Sequence, residues 1–382
     1  MANADNKVEE KKLPIVIGVS TLNIIISVTE DIPMAIDGAM CRAKSTQYPG
    51  GVGRNLAEVI YKLYGEVNFF SLIGNDTIGE ILYQLTPDLL ESCIYKFQPS
   101  CRTPSSTVIV DKKGDCKLIV NDEGNIDPSD WEIGRMRFHQ ASVIIIDANT
   151  PVAHIRWILA NAHSQKVPVF YEPADLKVSG KAFYNFIPLF TNTIRLTTPN
   201  YAELQDIVKS EWEQYYKFNT VDLNNIEETL ESVKSMLKAI SHMFDCVVVT
   251  LGPNGIVLSL NASVDPYRQS LFRNQKYIFD PTERAEIQKK IIFFPTPYVV
   301  EDVVSVSGVG DNFAGGFISG LLKEYTVTQS IALGFYAAKR ALKTAAAVPE
   351  EYFPPGQESE MWQRQLNEYK IPGEPERYKS AR

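Results

Sequence analysis

The stretch Ser307-Gly308-Val309-Gly310-Asp311-Asn312-Phe313-Ala314-Gly315-Gly316-Phe317-Ile318 indicates the fold of this 382-residue chain better than any other. A glycine-rich turn leads into a helical pattern, because Phe313, Phe317 and Leu321 fall on one helical face. We therefore expect a helix to begin near Asp311. The unpaired N–H groups of its first turn and the helix dipole together predict an anion-binding site.

Asp311 has two interpretations at the start of this helix. Position alone favours a helix N-cap. The alternative is a general base beside the anion-binding turn, which takes a proton from an attacking hydroxyl group. The small residues Ala314, Gly315 and Gly316 favour the base, since they let a ligand or another backbone approach closely at a cost in helix propensity.

A second glycine cluster, Gly50-Gly51-Val52-Gly53-Arg54-Asn55, precedes an apolar helical stripe. It is not a Walker A loop, since no Gly-Lys-Ser/Thr follows, and no hydrophobic strand precedes it as a dinucleotide fingerprint requires. A packing turn would explain the cluster without a ligand. Asn55 has two interpretations as well, because it can hydrogen-bond a polyol or cap its helix.

Short runs rich in Val and Ile alternate with helical patterns along most of the chain, which is typical of a parallel sheet between helices. Residues 24–48 and the predicted hairpin Ser106–Val120 interrupt the alternation and are expected to form a small separate sheet. Strands are predicted at 13–19, 143–146, 167–171, 194–196 and 246–251. The sequence predicts one large domain at 13–348, between a flexible tail at 1–12 and a loosely packed tail at 349–382. Within the domain, the small sheet comes from about 24–48 and 104–121, and an insertion is predicted at about 262–292.

Composition excludes several classes of protein. A net charge of −8 argues against nucleic-acid and acidic-membrane partners, although backbone amides can still bind a phosphate locally. No apolar run approaches the ~20 residues of a membrane-spanning helix, and residues 1–12 show no signal segment. Five scattered cysteines favour reduced thiols and a cytoplasmic location.

The two glycine clusters, in this order and at this separation, resemble the signature regions of the ribokinase-like PfkB family of carbohydrate and nucleoside kinases. Two segments between them agree, Thr198–Glu203 with the family's N-x-x-E element and Val249–Gly255. The resemblance runs from about Ile15 to about Ala347. The GGVGRN cluster, the stretch Glu172–Phe183 (EPADLKVSGKAF), TPNYAEL and SVSGVGD are most similar to the pseudouridine kinase branch.

The resemblance implies an α/β fold, a ribokinase-like three-layer α/β/α sandwich with a mostly parallel sheet and a small β-sheet lid. It also implies ATP-dependent phosphorylation of the 5′-hydroxyl of a nucleoside, pseudouridine above others, with Mg²⁺. A lid sheet has exposed edges, so a homodimer formed through the lid is expected. The alternatives are another nucleoside or a free sugar such as ribose or fructose, or a catalytically weak member with a binding or regulatory role.

The resemblance also implies roles for individual residues. Asp311 is the base, and the amides of Gly308, Val309 and Gly310 hold the transferring phosphoryl group. The implied substrate-binding residues are Asn23, Gly50, Gly51, Asn55, Ser106 or Thr107, Glu172 and Lys181, with Lys177 as the alternative lysine. The implied nucleotide-binding residues are Asn200, Thr250, Gly252, Gly255 and Ala338, and Glu203 with Asn200 would hold Mg²⁺ through water.

Some of these residues also have structural explanations. Asn200 can be a helix cap, Glu203 a solvated first-turn residue and Ala338 ordinary helix packing, while either lysine can be a solvated surface charge. The sequence also departs from the family pattern. Asn23 stands where the family has an aspartate at the end of the first strand, and Ser305-Val306-Ser307 replaces Asp-Thr-Thr, which argues against activation by K⁺.

Overall fold

The computed structural model describes residues 12–30, 40–86, 93–98, 101–112, 116–124, 136–184, 193–212, 221–240, 242–272 and 289–353. Their strands are β1 (Leu13–Ile17), β2 (Thr21–Val28), β3 (Ala43–Gly50), β4 (Asn68–Gly74), β5 (Cys93–Gln98), β6 (Ser105–Val110), β7 (Cys116–Asp122), β8 (Ala141–Asp147), β9 (Val169–Glu172), β10 (Ile194–Thr197), β11 (Cys246–Thr250), β12 (Gly255–Asn261) and β13 (Lys289–Pro295). Their α-helices are α1 (Val52–Tyr64), α2 (Thr77–Gln84), α3 (Val152–Gln165), α4 (Tyr201–Trp212), α5 (Ile226–Ala239), α6 (Val309–Leu322) and α7 (Val327–Ala341).

The larger sheet has the strand order β13-β12-β11-β10-β9-β8-β1-β4-β5. Its strands pair in parallel except at the β11–β12 and β12–β13 pairs, which are antiparallel. The central strand β1 pairs with two strands through Ile15, whose partners are Asn68 on one side and Ile144 on the other. The mostly parallel sheet predicted from the Val/Ile-rich runs is confirmed.

Successive residues of the central strands are buried on opposite faces, as strand alternation requires. Val16 and Val143 belong to a core that includes residues of α1, α6 and α7. Ile17 and Ile144 belong to a second core that includes residues of α3, α4 and α5. Burial on both faces explains why the strand sequences are continuous apolar runs, and the predicted three-layer α/β/α sandwich is confirmed.

A second, four-stranded sheet has the order β3-β2-β6-β7, in which β2 and β6 run parallel and the outer pairs are antiparallel. The predicted small sheet is therefore confirmed. Its outer strand β7 carries exposed apolar residues, Ile119 at 57% and Val120 at 52% exposure. Residues 31–39 and the turn at 113–115 lie outside the described residues.

Helix α6 begins at Val309, two residues earlier than predicted, with Gly308 as the N-cap in the left-handed conformation at φ 72°. The N-cap interpretation of Asp311 is therefore wrong, since Asp311 lies within the first turn. A Cβ at Gly315 would lie 2.6 Å from the side chain of Val59 in α1, and one at Gly316 would lie 2.8 Å from the Leu333 carbonyl of α7. What approaches these two glycines closely is a pair of neighbouring helices and not a ligand.

Two boundary predictions are wrong. The tail predicted to pack loosely from residue 349 is packed at its start, because Tyr352 is only 3% exposed and its carbonyl accepts a hydrogen bond from Tyr336 at 2.6 Å. Residues 289–292, predicted as the end of an insertion, form the start of edge strand β13. The rest of these predictions, at 1–11, 273–288 and 354–382, lies outside the described residues.

Within the described ranges, no helix is long and apolar enough to cross a membrane. In the same ranges, Cys41, Cys101 and Cys246 are free thiols.

Candidate active site

The two glycine clusters meet where the N-termini of α1 and α6 come together. The Asn55 side chain is 4% exposed, and its Nδ2 donates to Oδ2 of Asp311 at 2.7 Å across 256 positions of sequence. Asn55 is the fourth residue of α1, while Gly51 is the N-cap without a side-chain cap bond. The capping interpretation of Asn55 is therefore wrong, and its side chain contacts the candidate base instead.

Burial raises the pKa of Asp311 from 3.8 to about 7. The hydrogen bond from Asn55 opposes this rise because it favours the charged carboxylate, while the negative charges of Asp147 and Glu203 add to it. A carboxyl group with a pKa near neutrality is well suited to accept a proton from a hydroxyl group.

The turn before Asp311 has the backbone geometry that anion binding needs. Only glycine fits at Gly308, because its φ is positive and a Cβ would lie 2.3 Å from the Ala347 carbonyl oxygen. Gly310 is exposed, and a Cβ there would have no neighbouring atom within 4 Å. The N–H of Gly310, in the first turn of α6, has no intrahelical partner and presents positive potential at this opening, whereas the N–H of Val309 donates to the Val306 carbonyl oxygen at 3.4 Å.

The second glycine cluster, residues 50–55, folds closely against the segment that follows β1. Gly51 has φ 96°, and a Cβ there would lie 2.3 Å from the Val19 carbonyl oxygen. A Cβ at Gly50 would lie 2.3 Å from Nδ2 of Asn23, so these two residues are in contact. Asn23 lies within β2 of the small sheet and not at the end of the first strand, where it was expected.

Strand register distinguishes Ser106 from Thr107, the two predicted substrate-binding residues on the hairpin. Ser106 is the β6 partner of Asn23 and shares its face of the small sheet, while Thr107 points to the opposite face. The Ser106 hydroxyl donates to Oδ1 of Asn121 at 2.8 Å. The structure therefore brings Ser106, and not Thr107, to the Asn23 side.

The sequence reasoning missed Asp147, which is fully buried at the end of β8. One carboxylate oxygen accepts from the backbone N–H groups of Val19 and Gly53, each at 2.8 Å, and the other accepts from Asn149 at 2.7 Å. Asp147 thus fixes the end of β1 and the start of α1 to the sheet. Its signal was an aspartate directly after the apolar run 143–146, at the sheet edge where α/β proteins bind ligands.

Lys181 lies at the same edge. Its Nζ donates to the carbonyl oxygen of Ala148 at 3.1 Å, whereas Lys177 is exposed. Burial lowers the pKa of Lys181, and the nearby negative charge of Asp147 opposes that shift. Of the two lysines, only Lys181 reaches the strand ends of the candidate site.

Two buried acidic residues lie beside the base. Burial and the negative charge of Glu203 raise the pKa of Glu172 well above its usual value, and Thr198 donates to its Oε2. Asn200 and Glu203 form a reciprocal cap at α4, since each side chain accepts from the other's backbone N–H, at 2.8 and 3.0 Å. Asn200 is therefore a cap, but Glu203 is 7% exposed and is not the solvated residue of the alternative interpretation.

The predicted nucleotide-binding residues divide into two groups. Thr250 lies next to the N-x-x-E element, because its N–H donates to the Pro199 carbonyl at 2.9 Å, and Gly252 is exposed with open space around it. Gly255 is buried, and a Cβ there would lie 2.2 Å from the Phe294 carbonyl oxygen. Ala338 is 6% exposed in the core, so packing alone explains both Gly255 and Ala338.

Comparison with known proteins agrees with this geometry. The profile of the pfkB family carbohydrate kinases matches residues 16–350. The chain is 23% identical over 363 residues to a pseudouridine kinase of Arabidopsis thaliana, covering 89% of this chain and 93% of that protein. It is 29% identical over 172 residues to a pseudouridine kinase of Escherichia coli (strain K12), covering 44% and 53%. Arabidopsis thaliana ribokinase, solved with ribose and ATP, matches the fold with a TM-score of 0.61 at 15% identity, covering 93% and 98%.

Proposed function

The chain belongs to the pfkB family of carbohydrate kinases, and we propose that it transfers the terminal phosphoryl group of ATP to the 5′-hydroxyl of pseudouridine. Membership makes it a phosphotransferase with an alcohol group as acceptor. The observation that supports the proposal is the 2.7 Å contact between Asn55 and Asp311. It joins residues 50–55, which we name the acceptor loop, to a carboxylate beside an anion-binding helix terminus.

Asp311 accepts the proton of the 5′-hydroxyl as that oxygen attacks phosphorus. The carboxylate remains ionised for this step because Asn55 donates to it, while burial brings its pKa near neutrality. Negative charge on the transferring phosphoryl group is stabilised by the backbone N–H groups at the start of α6, those of the N-cap Gly308 and of Val309 and Gly310. Oriented amides provide this stabilisation without reorganisation during the reaction.

ATP binds along the open edge formed by Thr250 and Gly252. The support is that this edge is continuous with the N-x-x-E element, through the Thr250–Pro199 hydrogen bond and the bridge between Thr250 and Asn200. The A. thaliana ribokinase with the same fold was solved with ATP. A net negative chain can bind a triphosphate here, since the helix terminus and the loop amides supply local positive potential.

The residues near this edge fit Mg²⁺. Glu172 and Glu203 are two buried carboxyl groups whose charges repel each other, and each commits one oxygen to a hydrogen bond within the fold. A divalent cation relieves this repulsion, and Mg²⁺ commonly binds through one or two carboxylates plus substrate phosphates and water. Glu203, with Asn200 and Glu172, would hold the ion, which when bound neutralises charge on the phosphates.

The acceptor occupies the space between the acceptor loop and the small sheet, which acts as a lid over it. Asn23, Gly50, Gly51 and Asn55 hold the ribose hydroxyls, and Ser106 lies across from Asn23 on the lid. Lys181 is an ammonium donor at the strand ends, which suits the carbonyl oxygens of a uracil ring. The two pseudouridine kinases among the relatives support this choice of nucleoside.

We also propose that the protein forms a homodimer through the lid. Ile119 and Val120 expose large apolar side chains on β7, the outer strand of the small sheet. A second copy of the sheet would cover both this apolar surface and the unpaired strand edge.

The proposal is tested by incubating the purified chain with ATP, Mg²⁺ and one acceptor at a time. The acceptors are pseudouridine, uridine, ribose and fructose, and products are identified by mass spectrometry and ³¹P NMR. We expect pseudouridine 5′-monophosphate as the preferred product. Preferred phosphorylation of a free sugar overturns the choice of acceptor, and acceptor binding without turnover on any of them favours a binding or regulatory role.

A further inference from the structure

A buried arginine is hydrogen-bonded to the side chain of Asn55. Arg54 is 2% exposed, and its Nη1 donates to Oδ1 of Asn55 at 3.2 Å and to the Pro49 carbonyl at 3.3 Å. Its Nη2 forms an ion pair with Glu58, one helical turn further along α1. Burying a guanidinium group is costly unless its partners are fixed, so these contacts define one position for the side chain.

The two ends of the Asn55 amide face different partners. Its carbonyl oxygen accepts from Arg54, and its NH₂ group donates to Asp311. If the amide rotated by half a turn, the NH₂ group would face the guanidinium and the oxygen would face the carboxylate. Both hydrogen bonds would be lost, because donor would face donor and acceptor would face acceptor.

We propose that Arg54 is a positioning residue for phosphoryl transfer, which fixes the Asn55 amide so that its NH₂ group faces the Asp311 carboxylate. This inference rests on the proposed function, in which Asp311 takes the proton of the acceptor. Arg54 touches neither the base nor the phosphoryl-binding turn in the described contacts, and acts through Asn55.

Glu58, the ion-pair partner of Arg54, has a second charged partner of its own. Lys62 contacts Glu58 at 2.7 Å and also donates to the Pro349 carbonyl at 2.7 Å. The packed segment 349–353 therefore supports the ion pair that holds Arg54. A lysine at position 54 would not replace these contacts, because one ammonium group lacks the planar fork that reaches Asn55, Pro49 and Glu58 together.

Two variants test the proposal. Arg54→Met removes the donor to Asn55, and the double variant R54M/E58M removes the ion pair as a unit, so that Glu58 does not keep Lys62 as its single charged partner. The matched control is R195M/D245M, since Arg195 lies on β10, is 5% exposed and pairs with Asp245 at 3.3 Å. All variants are first checked for folding by circular dichroism.

We expect both Arg54 variants to lose about tenfold in kcat, as for one hydrogen bond to a charged group, with the KM for ATP unchanged. The acid limb of kcat/KM moves to higher pH, because the Asp311 carboxylate loses its donor. The charged and titratable groups that face Asp311 and remain in place are Asp147, Glu172, Glu203 and Tyr352. The control R195M/D245M should leave both kcat and the acid limb of kcat/KM unchanged, whichever way it shifts thermal stability.

Folded Arg54 variants that keep the kcat and the acid limb of the unsubstituted enzyme overturn the proposal. A measurement of unfolding stability tests the role of Arg54 separately from the proposed function, because it does not depend on catalytic turnover. In the Arg54→Met background, Asp311→Asn should raise the free energy of unfolding at pH 8 more than it does in the unsubstituted chain. An equal increase in both backgrounds also overturns the proposal, whether or not the chain phosphorylates a nucleoside.

Discussion

Replacing Asp311 by asparagine should remove activity and stabilise the fold at the same time. The variant keeps the contact with Asn55, because an amide oxygen accepts the same hydrogen bond. It cannot take a proton from the acceptor, so kcat should fall by about 10²–10⁴-fold, the usual contribution of a general base. The dissociation constant for ATP should stay within about twofold, since the proposed ATP site consists of backbone amides and the Thr250 edge and not of the Asp311 carboxylate.

The stabilisation follows from the pKa of Asp311. A rise from 3.8 to about 7 corresponds to roughly 4 kcal/mol, at about 1.4 kcal/mol for each pKa unit. Because Asp311 is partly exposed, solvent screening lowers this to about 2 kcal/mol. The folded-state pKa lies above the unfolded value, so the contribution of Asp311 is fully present below about pH 4 and is lost as the pH rises through about 7. Asp311→Asn should therefore leave stability unchanged at pH 4 and increase it at pH 8.

The assay is urea unfolding of both proteins at pH 4, 5, 6, 7 and 8, beside steady-state kinetics. We expect the difference in unfolding free energy to grow with pH up to about 7 and then to level off. The unsubstituted enzyme should gain kcat/KM as the pH rises through the same range, because the base must be ionised. Near-normal turnover of Asp311→Asn refutes the role as base, and a stability difference that does not change with pH refutes the electrostatic reasoning.

Three further substitutions test neighbouring parts of the site. Asp147→Ala leaves the N–H groups of Val19 and Gly53 without an acceptor, so the acceptor KM should rise about tenfold with an unchanged KM for ATP, and an unchanged acceptor KM would contradict this role. Glu203→Gln keeps the cap to Asn200 but loses the charge, so the Mg²⁺ concentration for half-maximal rate should rise about tenfold, and an unaltered Mg²⁺ dependence would exclude Glu203 as a ligand. Ile119→Lys should convert a dimer into a monomer in sedimentation velocity without loss of thermal stability, whereas a monomeric unsubstituted chain would dismiss the lid dimer.

The sequence was sufficient to predict the layers and to single out the two glycine clusters as the parts of the candidate site. Continuous apolar runs such as residues 143–146 predict strands buried on both faces, and the structure has β8 there. Asp311 was identified as the candidate general base because it follows a glycine-rich turn at the start of a helix. A local pattern of this kind can be recognised from residue spacing alone.

Features that depend on tertiary contacts could not be predicted. Asp147 accepts from N–H groups that lie 128 and 94 residues away in sequence, so no spacing rule connects them. Gly315, Gly316, Gly255 and Ala338 suggested ligand approach, but helix and strand neighbours occupy the adjacent space. Tyr352 lies in the proline-rich, charged tail that was predicted to pack loosely from residue 349, yet its hydroxyl bonds to the side chain of Asn312, next to the base.

In the proposed function, the enzyme transfers a phosphoryl group from ATP to a C-linked nucleoside that is bound at the acceptor loop, with Asp311 as the base. The direct measurement is the ratio of kcat/KM for pseudouridine to that for uridine and for ribose, with ATP and Mg²⁺ saturating and all acceptors in one competition assay. We predict a ratio well above 10 over both, with pseudouridine 5′-monophosphate as the product. Equal use of uridine, or a preference for ribose, would contradict the claim.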